Sequence, residues 1–309
     1  MREEYIGKVK LNLKYYSGDD KYSDGDIEDD MLKIASDNKF GHDNQVKILA
    51  NDDRWPILYH FSPIRENLLC WYPFESGSSI LEVGSGCGGV TGAIYRDTKV
   101  TCIELSKKRA LISANRHKDK AFEIYVGNMN DIDFSTKFDY ITLIGVLEYA
   151  ERYTGTKNPY VDFLTKIKAW LTPGGKIITA IENRYGLKYW AGAKEDHTGI
   201  QFEGISGYKN SKGVATFSKM ELTEMLQDAG FIKNKFYYPY PDYKLPHAIY
   251  SDNKLPQAHE LIYNGYSYDM DRISLFQEQA VFEGIINNGM YDFFSNSFLV
   301  ISNNEGKSK

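Results

Sequence analysis

The chain has 309 residues, enough for one large core or for a core domain with additions. Its net charge of −5 argues against general nucleic-acid binding, which usually requires a basic face. No apolar stretch reaches the length of a membrane span and the N-terminus does not resemble a signal peptide, so we expect a cytoplasmic protein. Three cysteines lack the paired spacing of a zinc site or a disulfide framework.

The first 55 residues are polar and acidic and predict a helical extension ahead of the main domain. Within them, residues 27–36 are predicted to form a short helix with Asp26 as its cap. Towards the other end, residues 218–230 carry the signals of a complete helix, with a serine cap, a glutamate three residues later and a terminal glycine.

A glycine-rich turn between two apolar runs is the most informative stretch. Residues 79–83 predict a strand, glycines follow at Gly84 and Gly86, and residues 99–103 predict a second strand that ends at Glu104. This order is typical of the nucleotide-binding unit of doubly wound sheets, where glycine lets the backbone approach a ligand closely. Glu104 would then accept hydrogen bonds from both ribose hydroxyl groups.

The turn also fits a dinucleotide, so a NAD-dependent oxidoreductase is an alternative from another class. Glu82 favours S-adenosylmethionine, because it completes an E-x-G-x-G-x-G pattern and a carboxylate there attracts the methionine ammonium but repels a pyrophosphate. After a third predicted strand, residues 122–126, Asn128 is expected to meet the adenine amino group and Met129 to lie against the ring.

Together with Leu171-Thr-Pro-Gly-Gly175 before a further strand, these motifs resemble the class I S-adenosylmethionine-dependent methyltransferases over about residues 56–240. The resemblance implies an α/β fold: a Rossmann-like, seven-stranded, mostly parallel sheet with helices on both faces. It also implies S-adenosylmethionine as cofactor and S-adenosylhomocysteine as product. In this family the helix before the first strand often closes over the cofactor. The predicted cofactor contacts therefore also include Tyr59, Arg65, Cys87, Leu105 and Gly145.

Two of these residues have a simpler alternative interpretation. Tyr59 would be a packing ring, and Arg65 would form a surface ion pair. The remaining predicted strands are residues 138–147, 175–181, 231–238 and 297–302. The predicted organisation is an extension over residues 1–55, a methyltransferase domain over residues 56–302, and a disordered tail over residues 303–309. Two insertions, residues 183–217 and 239–296, would form either a lid over the acceptor or an interface, such as that of a homodimer.

Acceptor chemistry is expected just after the fifth strand, where acid, amide, imidazole and aromatic groups are dense. We predict His197 as the general base because an unperturbed imidazole titrates near neutrality. Glu195 or Asp196 would orient it or bind hydroxyl groups of the acceptor. Asn183 and Tyr149 are predicted to position the acceptor. A histidine in such a loop can also merely stabilise a turn. No metal is expected, since no second acid has a convincing spacing.

Four further phrases, including ENRYGLKYWAGAKEDHTG and PDYKLPHAIYSDNKLP, resemble a bacterial methyltransferase group associated with glycosyltransferases of surface polysaccharide synthesis. That resemblance implies a glycan or other sugar-containing acceptor. A peptide, a secondary metabolite or another small molecule is the alternative acceptor. A methyltransferase-like binding protein without activity is a third possibility.

Overall fold

The computed structural model describes residues 3–20, 23–37, 41–261 and 270–304. The chain divides into two compact units. The first unit comprises Met1–Ile144 and Trp170–Gly175, and the second comprises Gly145–Ala169 and Lys176–Lys309. Within the described ranges, no helix combines the length and the apolar character needed to cross a bilayer.

The first unit contains a mostly parallel sheet. Its strands are β1 (Glu3–Ile6), β2 (Val9–Asn12), β3 (Ser79–Val83), β4 (Lys99–Glu104), β5 (Glu123–Val126) and β6 (Phe138–Ile144). They lie in the order β1-β2-β5-β4-β3-β6. Only the β1–β2 pair is antiparallel, so the carboxyl ends of β3, β4 and β5 meet at one edge, where such sheets bind ligands.

Helices of the first unit pack around the glycine turn. They are α1 (Ile27–Ser36), α2 (His42–Asn51), α3 (Trp55–Phe61), α4 (Thr91–Ile94) and α5 (Lys107–Arg116), with 3-10 helices at Pro63–Leu68 and Met129–Asp131. One apolar cluster consists of Met31, Ala35, Ile57, Phe61, Cys87 and Ile112. Beside it the Arg109 guanidinium binds the buried Glu28 carboxylate at 2.8 Å and so joins α5 to α1.

The second unit contains antiparallel strands. They are β7 (Leu171–Glu182), which starts in the first unit, β8 (Lys233–Tyr240), β9 (Ala248–Ser251) and β10 (Ser297–Asn303), in the order β7-β10-β8-β9. Its helices are α6 (Ala150–Tyr153), α7 (Pro159–Ala169), α8 (Leu187–Trp190), α9 (Lys219–Asp228), α10 (Glu278–Asn287) and α11 (Tyr291–Phe294), with a 3-10 helix at Leu147–Tyr149.

The predicted α/β fold with a mostly parallel sheet is confirmed, but the strand count is not. The described residues form ten strands rather than seven, because β1, β2 and β9 were not predicted. The expected helical extension therefore contains a hairpin whose strand β2 pairs with β5. Of the predicted tail, Asn303 belongs to β10 and residues 305–309 lie outside the described ranges. The predicted domain boundaries remain a prediction.

Candidate functional site

The glycine turn of the first unit is hydrogen-bonded to Glu104. Gly84 and Gly86 have φ values of 71° and 55°, a region that favours glycine. The backbone N–H of Gly86 donates to Glu104 Oε2 at 2.7 Å, and the N–H of Ser106 donates to Oε1 at 2.9 Å. An ionised carboxylate offers about four lone-pair positions, so these two bonds leave capacity for ribose hydroxyl groups. Burial raises the pKa of Glu104.

Glu82 lies on the neighbouring strand and is buried. Its Oε2 accepts a hydrogen bond from the Thr91 hydroxyl at 2.6 Å and a weaker one from the Cys102 thiol at 3.5 Å. Because these partners are neutral, burial dominates and raises the pKa of Glu82 to about 7. A cation that approached this carboxylate would favour its ionised form.

The other predicted cofactor contacts of the first unit differ in their surroundings. Asn128 accepts a hydrogen bond from the Asn130 N–H at 2.9 Å and so starts the short helix that carries the buried Met129. Leu105 is half-buried. The Cys87 side chain packs as a small apolar group in the cluster with α1, α3 and α5, so its predicted cofactor contact would come from its backbone.

Arg65 and Tyr59 form a stacked pair before β3. The Arg65 guanidinium lies over the Tyr59 ring, 4.3 Å from its centroid, and Trp55 stacks on the same ring at 5.3 Å. Arg65 is only 6% exposed, so the alternative of a surface ion pair is wrong for it. A buried guanidinium held flat on a ring suits an anionic partner such as a carboxylate.

In the second unit, His197 lies among three glutamates. Its Nδ1 is 2.9 Å from Glu195 Oε1, and its Nε2 is 3.5 Å from Glu148 Oε1 and 3.9 Å from Glu182 Oε2. All four side chains are buried. Of the two acids predicted to orient the imidazole, Glu195 is the one hydrogen-bonded to it.

The surroundings of His197 alter its pKa. Burial alone lowers the pKa of His197, but the charges of Glu182 and Glu148 and the hydrogen bond to Glu195 outweigh it and raise this pKa well above its usual value. The predicted role of His197 as a general base stays a prediction. No spacing in the sequence indicated the two additional acids around it.

The side chains around His197 are held by hydrogen bonds, a ring contact and ion pairs. Glu195 Oε2 accepts from the backbone N–H groups of His197 at 2.9 Å and Thr198 at 2.7 Å. Tyr149 makes an edge-to-face contact with His197, with ring centroids 5.3 Å apart. Asp196 faces the other way and binds Lys188, Lys244 and the Tyr189 hydroxyl.

Asn183 makes hydrogen bonds within the chain, and its predicted contact with the acceptor stays a prediction. Its side-chain amide donates to the carbonyl oxygens of Phe293 at 2.7 Å and Ser295 at 2.8 Å, and its Oδ1 accepts from the Tyr185 N–H at 3.0 Å. These three bonds tie the end of β7 to the segment before β10. The hydrogen-bonding groups of the amide are thus occupied by the chain itself.

Gly145 adopts φ 69° at the end of β6, and its N–H donates to the Ala180 carbonyl at 3.0 Å. A Cβ at this position would lie 2.9 Å from the Tyr243 hydroxyl. That hydroxyl donates to Glu182 Oε1 at 3.2 Å, and the Lys244 ammonium lies 3.0 Å from the same oxygen. Glycine at position 145 therefore leaves room for the groups that bind Glu182.

Sequence reasoning missed Glu148, Glu182 and Lys244 as members of this group. Each comes from a different segment, and no spacing in the chain links them. The sequence spacing indicated no cluster of carboxylates, yet donor atoms of Glu148, Glu182 and His197 lie within 4.8 Å of one another. The one available signal was position, because Glu148 and Glu182 follow or end predicted strands.

Comparison with known proteins agrees with this fold. Residues 81–177, about a third of the chain, match the family described as "Methyltransferase domain". No curated protein matches the sequence. A chain of the complex between the Haloferax volcanii Trm112 methyltransferase activator and a methyltransferase is 14% identical, with a TM-score of 0.50 over 86% of this chain and 98% of that chain. At this identity the likeness shows the fold alone.

Two other solved structures are similar at lower TM-scores. The N-methyltransferase NodS of Bradyrhizobium japonicum is 14% identical, with a TM-score of 0.47 over 85% of this chain and 98% of that chain. A Thermotoga maritima S-adenosylmethionine-dependent methyltransferase is 14% identical, with a TM-score of 0.46 over 89% and 100%. None of these comparisons supports the oxidoreductase alternative. The match over residues 81–177 confirms the predicted class of enzyme, a methyltransferase, whereas S-adenosylmethionine as its cofactor stays a prediction.

Proposed function

We propose that this chain transfers the methyl group of S-adenosylmethionine to an oxygen or nitrogen atom of a polar acceptor. A sugar-containing or other small molecule is the first candidate, as the resemblance to the bacterial glycosyltransferase-associated group suggests. A peptide or secondary metabolite is the alternative. The observation that carries the proposal is the methyltransferase-domain match over residues 81–177, which contain the glycine turn bonded to Glu104.

The first unit supplies the proposed cofactor contacts. Glu104 would accept the ribose hydroxyl groups, Asn128 and Met129 would meet the adenine, and Glu82 would lie near the methionine ammonium. The stacked Arg65 would meet the methionine carboxylate, because a buried guanidinium pairs well with such a group. Each assignment matches the charge or hydrogen-bonding capacity of the side chain with one part of the cofactor.

The second unit supplies the proposed acceptor contacts. We assign His197, oriented by Glu195, and the Tyr149 ring to holding the acceptor. In the reaction the acceptor lone pair forms a bond to the methyl carbon as the carbon–sulfur bond breaks, and S-adenosylhomocysteine leaves as a neutral thioether. An O–H or N–H acceptor also releases one proton. Protein groups assist mainly by alignment and by excluding water.

A ligand titration tests the cofactor part. S-adenosylhomocysteine should raise the melting temperature of the full chain, whereas NADH should not. At a ligand concentration one hundred times Kd, the free energy of unfolding should increase by about 2.7 kcal/mol. Stabilisation by NADH alone would contradict the proposal.

A mass-spectrometric screen then tests the acceptor. Oligosaccharides, nucleotide sugars, amines and peptides are incubated with protein and S-adenosylmethionine, and one product should gain the mass of one methylene group. Binding of S-adenosylhomocysteine without any methylated product across these classes would favour the non-catalytic alternative.

A further inference from the structure

We infer that Glu148, Glu182 and His197 form a binding site for one divalent metal ion of the Mn²⁺ or Zn²⁺ class, with Glu195 orienting the histidine. This inference concerns metal binding by the second unit. It does not depend on the identity of the methyl acceptor.

The donor atoms have distances that suit one ion. A metal about 2.1 Å from each of two ligand atoms requires these atoms to lie within about 4.2 Å of each other. His197 Nε2 lies 3.5 Å from Glu148 Oε1 and 3.9 Å from Glu182 Oε2. All three donor atoms fall within 4.8 Å of one another, so a small side-chain adjustment completes the set.

Two carboxylate oxygens of this group, Glu148 Oε2 and Glu182 Oε2, are buried and accept no hydrogen bond from the described residues. Their residues are only 1% and 0% exposed, so neither oxygen is compensated by bulk water. Buried polar atoms normally have hydrogen-bond partners. Glu182 Oε2 lies 3.9 Å from His197 Nε2, so a cation bound between them would satisfy it.

Glu182 is arranged to bind through one oxygen. Its Oε1 already accepts from the Tyr243 hydroxyl at 3.2 Å and from the Lys244 ammonium at 3.0 Å. Those bonds fix the carboxylate plane and leave Oε2 facing His197. Monodentate binding by Glu182 follows from this arrangement.

His197 has the orientation that metal-binding histidines usually have. Its Nδ1 is hydrogen-bonded to Glu195 Oε1 at 2.9 Å, and Nε2 faces the other two carboxylates. In protein metal sites the second ring nitrogen commonly donates to a carboxylate, which fixes the tautomer and the ring. Glu195 is itself held by the Tyr208 hydroxyl at 3.1 Å, so it is a positioning residue rather than a ligand.

The surrounding charges also favour a dication. The charged side chains bonded within this group include Glu148, Glu182, Glu195, Asp196, Lys188 and Lys244. Carboxyl groups outnumber ammonium groups in this set, which favours the binding of a cation. Two carboxylate oxygens with one imidazole nitrogen suit Mn²⁺ or Zn²⁺ better than a thiolate-seeking ion.

The test measures metal binding directly. The full chain is stripped with a chelator and dialysed against MnCl₂ or ZnCl₂, and bound metal is then quantified. We expect saturable binding of one ion per chain. Glu148→Gln and Glu182→Gln should weaken it at least about tenfold, and Glu195→Gln by about 10–100-fold.

Glu203→Gln is the matched control. Glu203 is also a buried glutamate of the second unit, but it is bonded to Asn210 rather than to the cluster, so its substitution should leave metal binding unchanged. Stabilisation by S-adenosylhomocysteine reports separately on folding and on the cofactor proposal. Loss of metal binding with this stabilisation retained supports the inference.

Two results would overturn the inference. One is a wild-type chain that binds neither ion saturably, which would make the cluster an ion-pair network around a protonated histidine. The other is unchanged affinity in both ligand variants. Should the variants fail to fold, the visible spectrum of the Co²⁺-loaded wild type decides, because protein ligands change its bands from those of the aqueous ion.

Discussion

Two pairs of buried carboxylates, one pair in each unit, are compensated in opposite ways. Glu82 and Glu104 of the first unit are bonded to neutral donors, namely a hydroxyl, a thiol and backbone N–H groups. Glu148 and Glu182 of the second unit face charged groups, the imidazole of His197 and the ammonium of Lys244. The first arrangement is built from one short stretch of chain, and the second from several distant ones.

This difference matters for ligand binding. A carboxylate on neutral donors retains most of its charge for a polar or cationic ligand, whereas one inside an ion-pair network shares its charge with protein cations. We therefore expect substitutions in the first unit to change cofactor affinity and pH dependence. Substitutions in the second unit should change the stability of the cluster around His197 and the affinity of this cluster for ligands. Four predictions test this contrast.

The largest effect is expected for Glu104→Gln. The amide cannot accept from both Gly86 and Ser106, and it loses the charge that strengthens bonds to ribose. Hydrogen bonds to charged groups contribute about 1.5–3 kcal/mol, so affinity for S-adenosylhomocysteine should fall on the order of 100-fold by calorimetry. Glu123→Gln on the neighbouring β5 is the control and should bind normally. Unchanged affinity in Glu104→Gln would remove the ribose assignment.

Glu82→Gln should change the pH dependence of stability. The pKa of this carboxyl is raised to about 7 in the folded chain, so its stabilising contribution is complete below the unfolded value and is lost as pH rises through 7. Between pH 5 and pH 8 this group should cost on the order of 3 kcal/mol, and the glutamine variant should lack that loss.

Urea unfolding at several pH values measures this difference between wild type and variant. Glu75→Gln, at an exposed position, is the control and should follow the wild type. Parallel curves for wild type and Glu82→Gln would show that Glu82 is solvated or ionised in the folded chain. That result would break the contrast between the two units.

The local elements of the first unit could be predicted because their signals are adjacent in sequence. β3 and β4 lie within a residue of their predicted ends, and α1 has its predicted bounds. The glycine turn and Glu104 belong to the same stretch, so their contact followed from the motif. The hairpin β1–β2 was missed, since its strands have four residues each and lie in an acidic segment.

The second unit could be predicted only in part. Glu195 is two residues from His197, and their hydrogen bond was foreseen for that reason. Glu148 and Glu182 lie 49 and 15 residues before His197, at the ends of other elements, and only the folded chain shows that they meet. The raised pKa of His197 depends on that meeting, so it could not be predicted from the residues near His197 in the sequence.

Asn183→Ala tests whether this residue has a structural role in the second unit. Removal of the amide leaves the carbonyl of Phe293 and the buried carbonyl of Ser295 without their donor, and we expect a loss of about 2 kcal/mol or more in the free energy of unfolding. S-adenosylhomocysteine affinity at low temperature should stay within about twofold, because the proposed contacts Glu82 and Glu104 lie in the first unit. A stable Asn183→Ala chain that lost only methyl transfer would restore the acceptor-positioning role.

The smallest effects compare one predicted helix cap from each unit. Ser218 of α9 accepts from the Glu221 N–H at 3.2 Å, and the Glu221 side chain accepts from the Ser218 N–H at 2.8 Å, which is a capping box. Asp26 precedes α1, but its side chain accepts no capping bond in the described structure. Sequence alone rates both positions as good caps.

Ser218→Ala should therefore destabilise the chain by about 1 kcal/mol, whereas Asp26→Ala should change stability by less than about 0.5 kcal/mol. At the start of α1 the Glu28 carboxylate accepts from the Ser23 hydroxyl at 2.8 Å and the Asp24 N–H at 2.9 Å, so that end is held without Asp26. Paired urea titrations of both variants decide the matter. Equal losses would mean that Asp26 caps α1 in solution. The stability of the first unit would then depend on Asp26 as well as on Glu82 and Glu104.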